Sequence, residues 1–291
     1  MNKFVNAVVM AGLGAASLTA ARADQQAETA RAIVARHKAG AVTLAVVIKM
    51  GGYFGGDQQT ELEADGVVLD ASGLVATTNM AIDPMSLYSS MSQDSYGGKM
   101  SSKLVSLKII TASGDEIPGK VVLRDKDKNL AFVRPLQAPA TPLAAVDFRT
   151  GGKAQIGDPV FILGRLGKAG NRAVDVTIQR IVGVIDRPRT LYVTEPNMFV
   201  NLGNAVFNEK GEALGLSSMR VSSSKRSSLN FSDNMLPTVI PAEDVWEVAR
   251  QAPQARDVKD TEPATKPAPK PSGARPKPTA PKGRPGLKPK Q

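Results

Sequence analysis

The sequence predicts an all-β protein built as two antiparallel β-barrels, with a short helix before them and another after. Three observations carry that prediction. Short apolar runs separated by turn residues recur through residues 40–240, a rhythm that favours barrels or sandwiches. The second half repeats the strand–turn–strand grammar of the first. Helical spacing of apolar residues stands out only at the two ends of this region.

The first helical signal lies in 24–40, where Ala27, Ala30, Ile33 and Val34 recur at helical spacing before Gly40. Val42 to Ile48 is a continuous apolar, β-branched run and reads as a buried strand. Leu62 to Asp70 and Leu74 to Thr78 flank the turn Ala71-Ser72-Gly73. Pro84 to Lys103, rich in Ser, Gly, Met and Tyr, reads as an inserted surface loop. Leu104 to Ala112 and Ile117 to Leu123 form a hairpin about Ser113-Gly114-Asp115. After Gly157-Asp158 an apolar strand runs to Leu163. Val174 to Val184 and Leu191 to Thr194 follow.

The next hairpin is the most regular stretch. Ala205 to Phe207 leads into the turn Asn208-Glu-Lys-Gly211, and Ala213 to Leu216 leads out. Gly211 supplies the positive φ such a turn needs. Ser217 to Ser232, crowded with serines, reads as a polar loop and contact surface. Thr238 to Arg250 reads as a last strand and a helix that packs Val245, Trp246 and Val248 on the barrel.

Charge is unevenly placed. Of the net +10, residues 1–23 carry +2 and residues 263–291 carry +8, which leaves 24–262 neutral. With no cysteine there is no disulfide, thiolate metal site or thiol nucleophile. The single histidine, His37, excludes a multi-histidine zinc site. No cofactor is expected. Residues 1–23 have the layout of a secretory signal: Lys3, an apolar run from Phe4 to Ala20, then Ala21-Arg22-Ala23. They predict export to the periplasm, cell envelope or medium. Residues 253–291 are expected to be a disordered tail. From 263 on, Pro alternates with Lys and Arg, and such chain is extended and cannot build a core.

Five segments resemble, in order, the protease domain of trypsin-like serine proteases of the HtrA/Deg family, among them Gln155 to Gly164, which is like the family's strand before its Gly-Asn-Pro turn. Gly66 to Asp70 followed by Gly73 to Asn79 is similar to the segment leading into the catalytic histidine. Arg124 to Val133 resembles the Asp-x-x-x-Asp-Leu-Ala segment that carries the aspartate. Pro196 to Leu216 resembles the Gly-Asn-Ser-Gly-Gly segment and the hairpin after it. Thr238 to Arg250 is similar to the Ile-Pro step into a closing helix. The resemblance implies two six-stranded barrels, about 41–140 and 141–240, in a domain ending near 252. Nothing in the remaining chain resembles a PDZ domain.

The resemblance places the histidine on Met80, the aspartate on Asn129 and the serine on Leu202. An oxyanion-donor glycine falls on Val200. A thioether cannot relay a proton near neutral pH, an amide cannot offset an imidazolium, and an isobutyl group cannot attack a carbonyl. Loss of such a unit costs several orders of magnitude in rate. The sequence therefore predicts no catalytic residue and a binding or regulatory module with a protein or peptide partner. A second reading is an envelope-tethered structural protein whose basic tail meets anionic polymer or lipid, electrostatically and without specific nucleic-acid recognition. A third is an active endopeptidase with non-standard residues.

Overall fold

The computed structural model describes residues 25–51, 58–84, 101–196, 202–221 and 235–258. A helix over 25–37 (α1) opens it. Ala30 and Ile33 are buried, and Gly40 closes the turn by donating to the His37 carbonyl at 2.9 Å.

The first barrel comprises β1 (Ala41–Gly51), β2 (Gln58–Val68), β3 (Val75–Thr78), β4 (Ser101–Ile110), β5 (Glu116–Asp125) and β6 (Leu130–Pro135). They close in the order β1-β2-β3-β6-β5-β4. A one-turn helix, α2 (Asn79–Ile82), follows β3, capped by the Thr78 hydroxyl, which accepts from Ala81 N at 3.2 Å.

The second barrel comprises β7 (Pro159–Arg165), β8 (Val174–Ile185), β9 (Leu191–Thr194), β10 (Ala205–Phe207), β11 (Ala213–Val221) and β12 (Met235–Pro241). Its order is β10-β11-β12-β9-β8-β7. Both barrels are closed and antiparallel throughout, which removes the unpaired edges an open sheet would present. A helix, α3 (Ala242–Ala249), buries Ala242, Val245, Val248 and Ala249. A 3₁₀ turn (Ala255–Asp257) ends the described chain.

Each barrel has its own apolar filling, and a third cluster joins them. Val42, Leu44, Val46, Ile109 and Val133 fill the first barrel, and Val160, Val206, Leu214 and Val239 the second. The joining cluster brings Phe132 and Leu130 together with Phe161, Phe207 and Leu216, and adds Ile33, Val245 and Ala255 from outside the barrels. This explains why β6, β9 and β10 lack polar alternation. Their residues are buried along the whole strand because one face fills a barrel and the other meets a second layer.

Two expectations need correction. Ser217 and Ser218 are not loop residues: β11 runs through them to Val221, and they are 4 % and 2 % exposed. Residues 101–103, expected at the end of a surface loop, open β4. The rest of the expected insertion (85–100), most of 217–233, and the expected signal and basic tail lie outside the described residues. The described chain also passes residue 252. Arg134 Nε donates to the Pro253 carbonyl at 3.0 Å and Lys120 Nζ to the Val258 carbonyl at 2.6 Å.

Candidate active site

Met80 stands on α2, immediately after β3. The one-turn helix is fixed to the β5–β6 turn by its own backbone and by Asn79. Asn79 N donates to the Asn129 carbonyl at 3.1 Å, and its side chain donates to the Asp125 carbonyl at 2.9 Å. Arg124 Nη1 donates to Asn79 Oδ1 at 3.0 Å. The β5–β6 turn is tightened in turn by Lys128 N donating to Asp125 Oδ1 at 2.9 Å.

Asn129 closes that turn with φ +55°. Asparagine tolerates this left-handed conformation better than most side chains. Its amide then spans the barrels. Oδ1 accepts from Met80 N at 3.2 Å, and Nδ2 lies 3.3 Å from Ser218 Oγ on β11. Met80 and Asn129, two of the positions singled out by the resemblance, are therefore in direct hydrogen-bond contact.

Leu202 is reached through β11. Its neighbour Gly203 donates to the Ser217 carbonyl at 2.9 Å, Asn204 N donates to Ser217 Oγ at 2.9 Å, and Ser217 N donates to the Asn204 carbonyl at 2.8 Å. Gly203 has φ +89° and lies against the first barrel. A Cβ there would stand 2.5 Å from the Asp65 carbonyl oxygen and 2.6 Å from Thr77 Oγ1. The Leu202 loop is thus docked on β2 and β3, and Ser217-Ser218 bridges it to Asn129. Leu202 and Met80 are each half-buried. Val200 lies outside the described residues.

A family model for the trypsin-like peptidase domain matches residues 64–216, just over half of the chain. The chain belongs to the trypsin-like peptidase domain family. No curated protein matches the sequence. The matched stretch begins on β2, includes Met80, Asn129 and Leu202, and ends on β11 just short of Ser217.

For a trypsin-like domain, the chemistry at this site is unusual. The Asn129 amide is occupied on both sides, by a backbone N–H and by a hydroxyl, and neither partner is an imidazole. Ser218 brings a serine oxygen to this network, yet it is buried and tied to that amide. The sequence reading missed Ser217 and Ser218 because serine clusters resemble loop composition. Their strand assignment depends on pairing with Val239 and Thr238 of β12.

Asn129 provides a direct test of this network. Asn129→Ala removes two hydrogen bonds worth about 1 kcal/mol each, and replaces a residue that tolerates the left-handed region with one that does so less readily. Chemical denaturation should show a loss of about 2–3 kcal/mol. Asn129→Asp should cost under about 1 kcal/mol, because a carboxylate still accepts from Met80 N and the Ser218 hydroxyl can turn to donate.

Proposed function

We propose that this is an exported trypsin-like domain without peptidase activity, which acts as a binding or regulatory module for a protein or peptide partner. The HtrA/Deg proteases are the branch it resembles in sequence. The observation that carries the reading is the Asn129 network. The group in the aspartate position is neutral, and its oxygen is engaged by the backbone of Met80, where peptidase chemistry would need an imidazole. Neither Met80 nor Leu202 offers an atom that can carry a proton or attack a carbonyl.

The test is hydrolysis by purified full-length protein. Casein should remain intact, and phosphonate probes that label active serines should leave the protein unmodified. Labelling of one defined serine, or turnover abolished by substituting a residue of the network, would overturn the reading. Export is tested separately, by fusing residues 1–23 to a reporter that is active only outside the cytoplasm.

A further inference from the structure

The described residues leave six large apolar side chains exposed, and three of them gather at one place on the second barrel. They are Ile156, 67 % exposed, Ile178, 40 %, and Val182, 48 %. Along β8 the side chains alternate. Gln179 and Ile181 are buried, whereas Ile178, Arg180 and Val182 face out. A strand with one solvated face ordinarily turns polar residues outward. Here two of the three are isoleucine and valine.

The turn before β7 joins the same patch. Gly157 N donates to the Ile181 carbonyl at 2.7 Å, and Ile181 N to the Asp158 carbonyl at 3.0 Å. Gly157 and Asp158 thus straddle Ile181, which brings Ile156 alongside Val182. Arg180 Nη1 reaches back to the Gly157 carbonyl at 2.8 Å, so the guanidinium lies between β8 and the turn. A Cβ on Gly157 would meet nothing within 4 Å, so the turn is open to approach. Strand formation accounts for outward β-branched residues on β8. Ile156 stands in a turn, where a β-branched side chain gains nothing of that kind.

Arg180 supplies the charge. Its Nε and Nη2 make no hydrogen bond among the described residues, and no carboxylate there pairs with it. Asp158, the acid of the turn, accepts instead from Gln155 N at 2.7 Å through Oδ2. The guanidinium edge that grips a carboxylate with two parallel bonds is therefore unused.

We propose that this patch docks an acidic and apolar segment of a partner protein, with a carboxylate on Arg180 and apolar side chains against Ile156, Ile178 and Val182. Charge decides among the occupants. In a two-fold contact between copies centred here, Arg180 would face Arg180. The basic end of this chain, eight Lys and Arg and no acid over 263–291, carries the wrong sign. A carboxylate flanked by apolar groups meets both the unpaired guanidinium and the exposed apolar surface. The patch shares no residue with the Asn129 network, so the inference stands apart from the reading of the cleft.

Three synthetic peptide pools test it on the full-length protein. Each peptide carries two apolar residues on either side of a central Asp, Asn or Lys. The wild type should bind the Asp pool at least about fivefold more tightly than the Asn pool, and the Lys pool least. Amide signals of Gly157, Ile178, Arg180 and Val182 should shift as the Asp pool is added. In Arg180→Glu the order should invert, with the Lys pool bound best. Ile156→Ser, a second surface variant, should weaken binding of the Asp pool about fivefold and leave the order unchanged. Equal binding of the Asp and Asn pools, no binding of any pool, or an unchanged order in Arg180→Glu would overturn the proposal. So would shifts confined to the amides of Met80 and Gly203. Self-association abolished by Ile178→Lys would assign the patch to a second copy. Binding of phosphatidylglycerol vesicles that is lost in Arg180→Glu, without binding of the Asp pool, would assign it to a lipid surface. Either result ends the proposal.

Discussion

Phe207→Ala is expected to lower stability by about 4 kcal/mol, within the range for truncating a buried aromatic ring. Phe207 is fully buried on β10, pairs with Phe161 on β7, and belongs to the cluster that joins both barrels to α1 and α3. It also stacks on His37 of α1, with ring centroids 4.6 Å apart and an interplanar angle of 25°. For a domain of this size, 1 kcal/mol moves the melting temperature by about 2–4 °C, so a drop on the order of 8–16 °C should be read by thermal unfolding.

The same variant changes a pH dependence. Burial, chiefly, and the Arg36 charge hold His37 below its ordinary 6.5, partly opposed by a backbone hydrogen bond with Gly211. Because the folded value is depressed, His37 contributes stability above pH 6.5 that is lost as pH falls through the folded value. Removing the stacked ring exposes the imidazole, so the loss of stability on acidification should shrink in Phe207→Ala. Asp65 works in the opposite sense, since its raised value adds stability in acid. The comparison is therefore best made in an Asp65→Asn background, by denaturation at pH 5 and 7.5.

Gly215→Ala should be nearly as damaging. Gly215 sits near the start of β11, between Val206 on β10 and Pro241 on β12. A Cβ there would lie 1.9 Å from the Ile240 carbonyl oxygen, and 2.8 and 3.1 Å from two further backbone atoms. No rotamer relieves a clash with backbone. The strands must part, and about 3 kcal/mol, the upper end of ordinary overpacking costs, is expected. Because β11 carries Ser217 and Ser218, the variant should also disturb the Asn129 contact. A denaturation curve indistinguishable from the wild type would show that β11 and β12 do not pack this closely.

Much of the fold was legible in the sequence where apolar strands are short and their turns chemically marked. Leu191–Thr194 and Ala205–Phe207 have the predicted limits. The turn of the second hairpin is closed by Gly211 N donating to the Asn208 carbonyl at 2.9 Å, with Gly211 at φ +73°. The two six-stranded antiparallel barrels are those implied by the family resemblance. The reading failed where polar residues are buried by pairing between distant segments. Ser217 and Ser218 extend a strand because β12 lies beside them, and neither segment's own sequence announces that pairing, although Thr238 onward reads as a strand.

The same limit applied at the site. Met80, Asn129 and Leu202 could be located only through resemblance. Asp65 could not be singled out, since a carboxylate alternating with apolar residues on a strand looks solvent-facing. Only the packing of the second barrel on β2 gives it a buried environment.

The last described residues act as a strap. Having completed the second barrel and α3, the chain returns to the first, where Arg134 and Lys120 grip the carbonyls of Pro253 and Val258 and Ala255 is buried. Pulling the two halves apart would first require peeling this strap away. Force applied to either half is shared with the other, so the molecule should rupture as one body rather than in two steps.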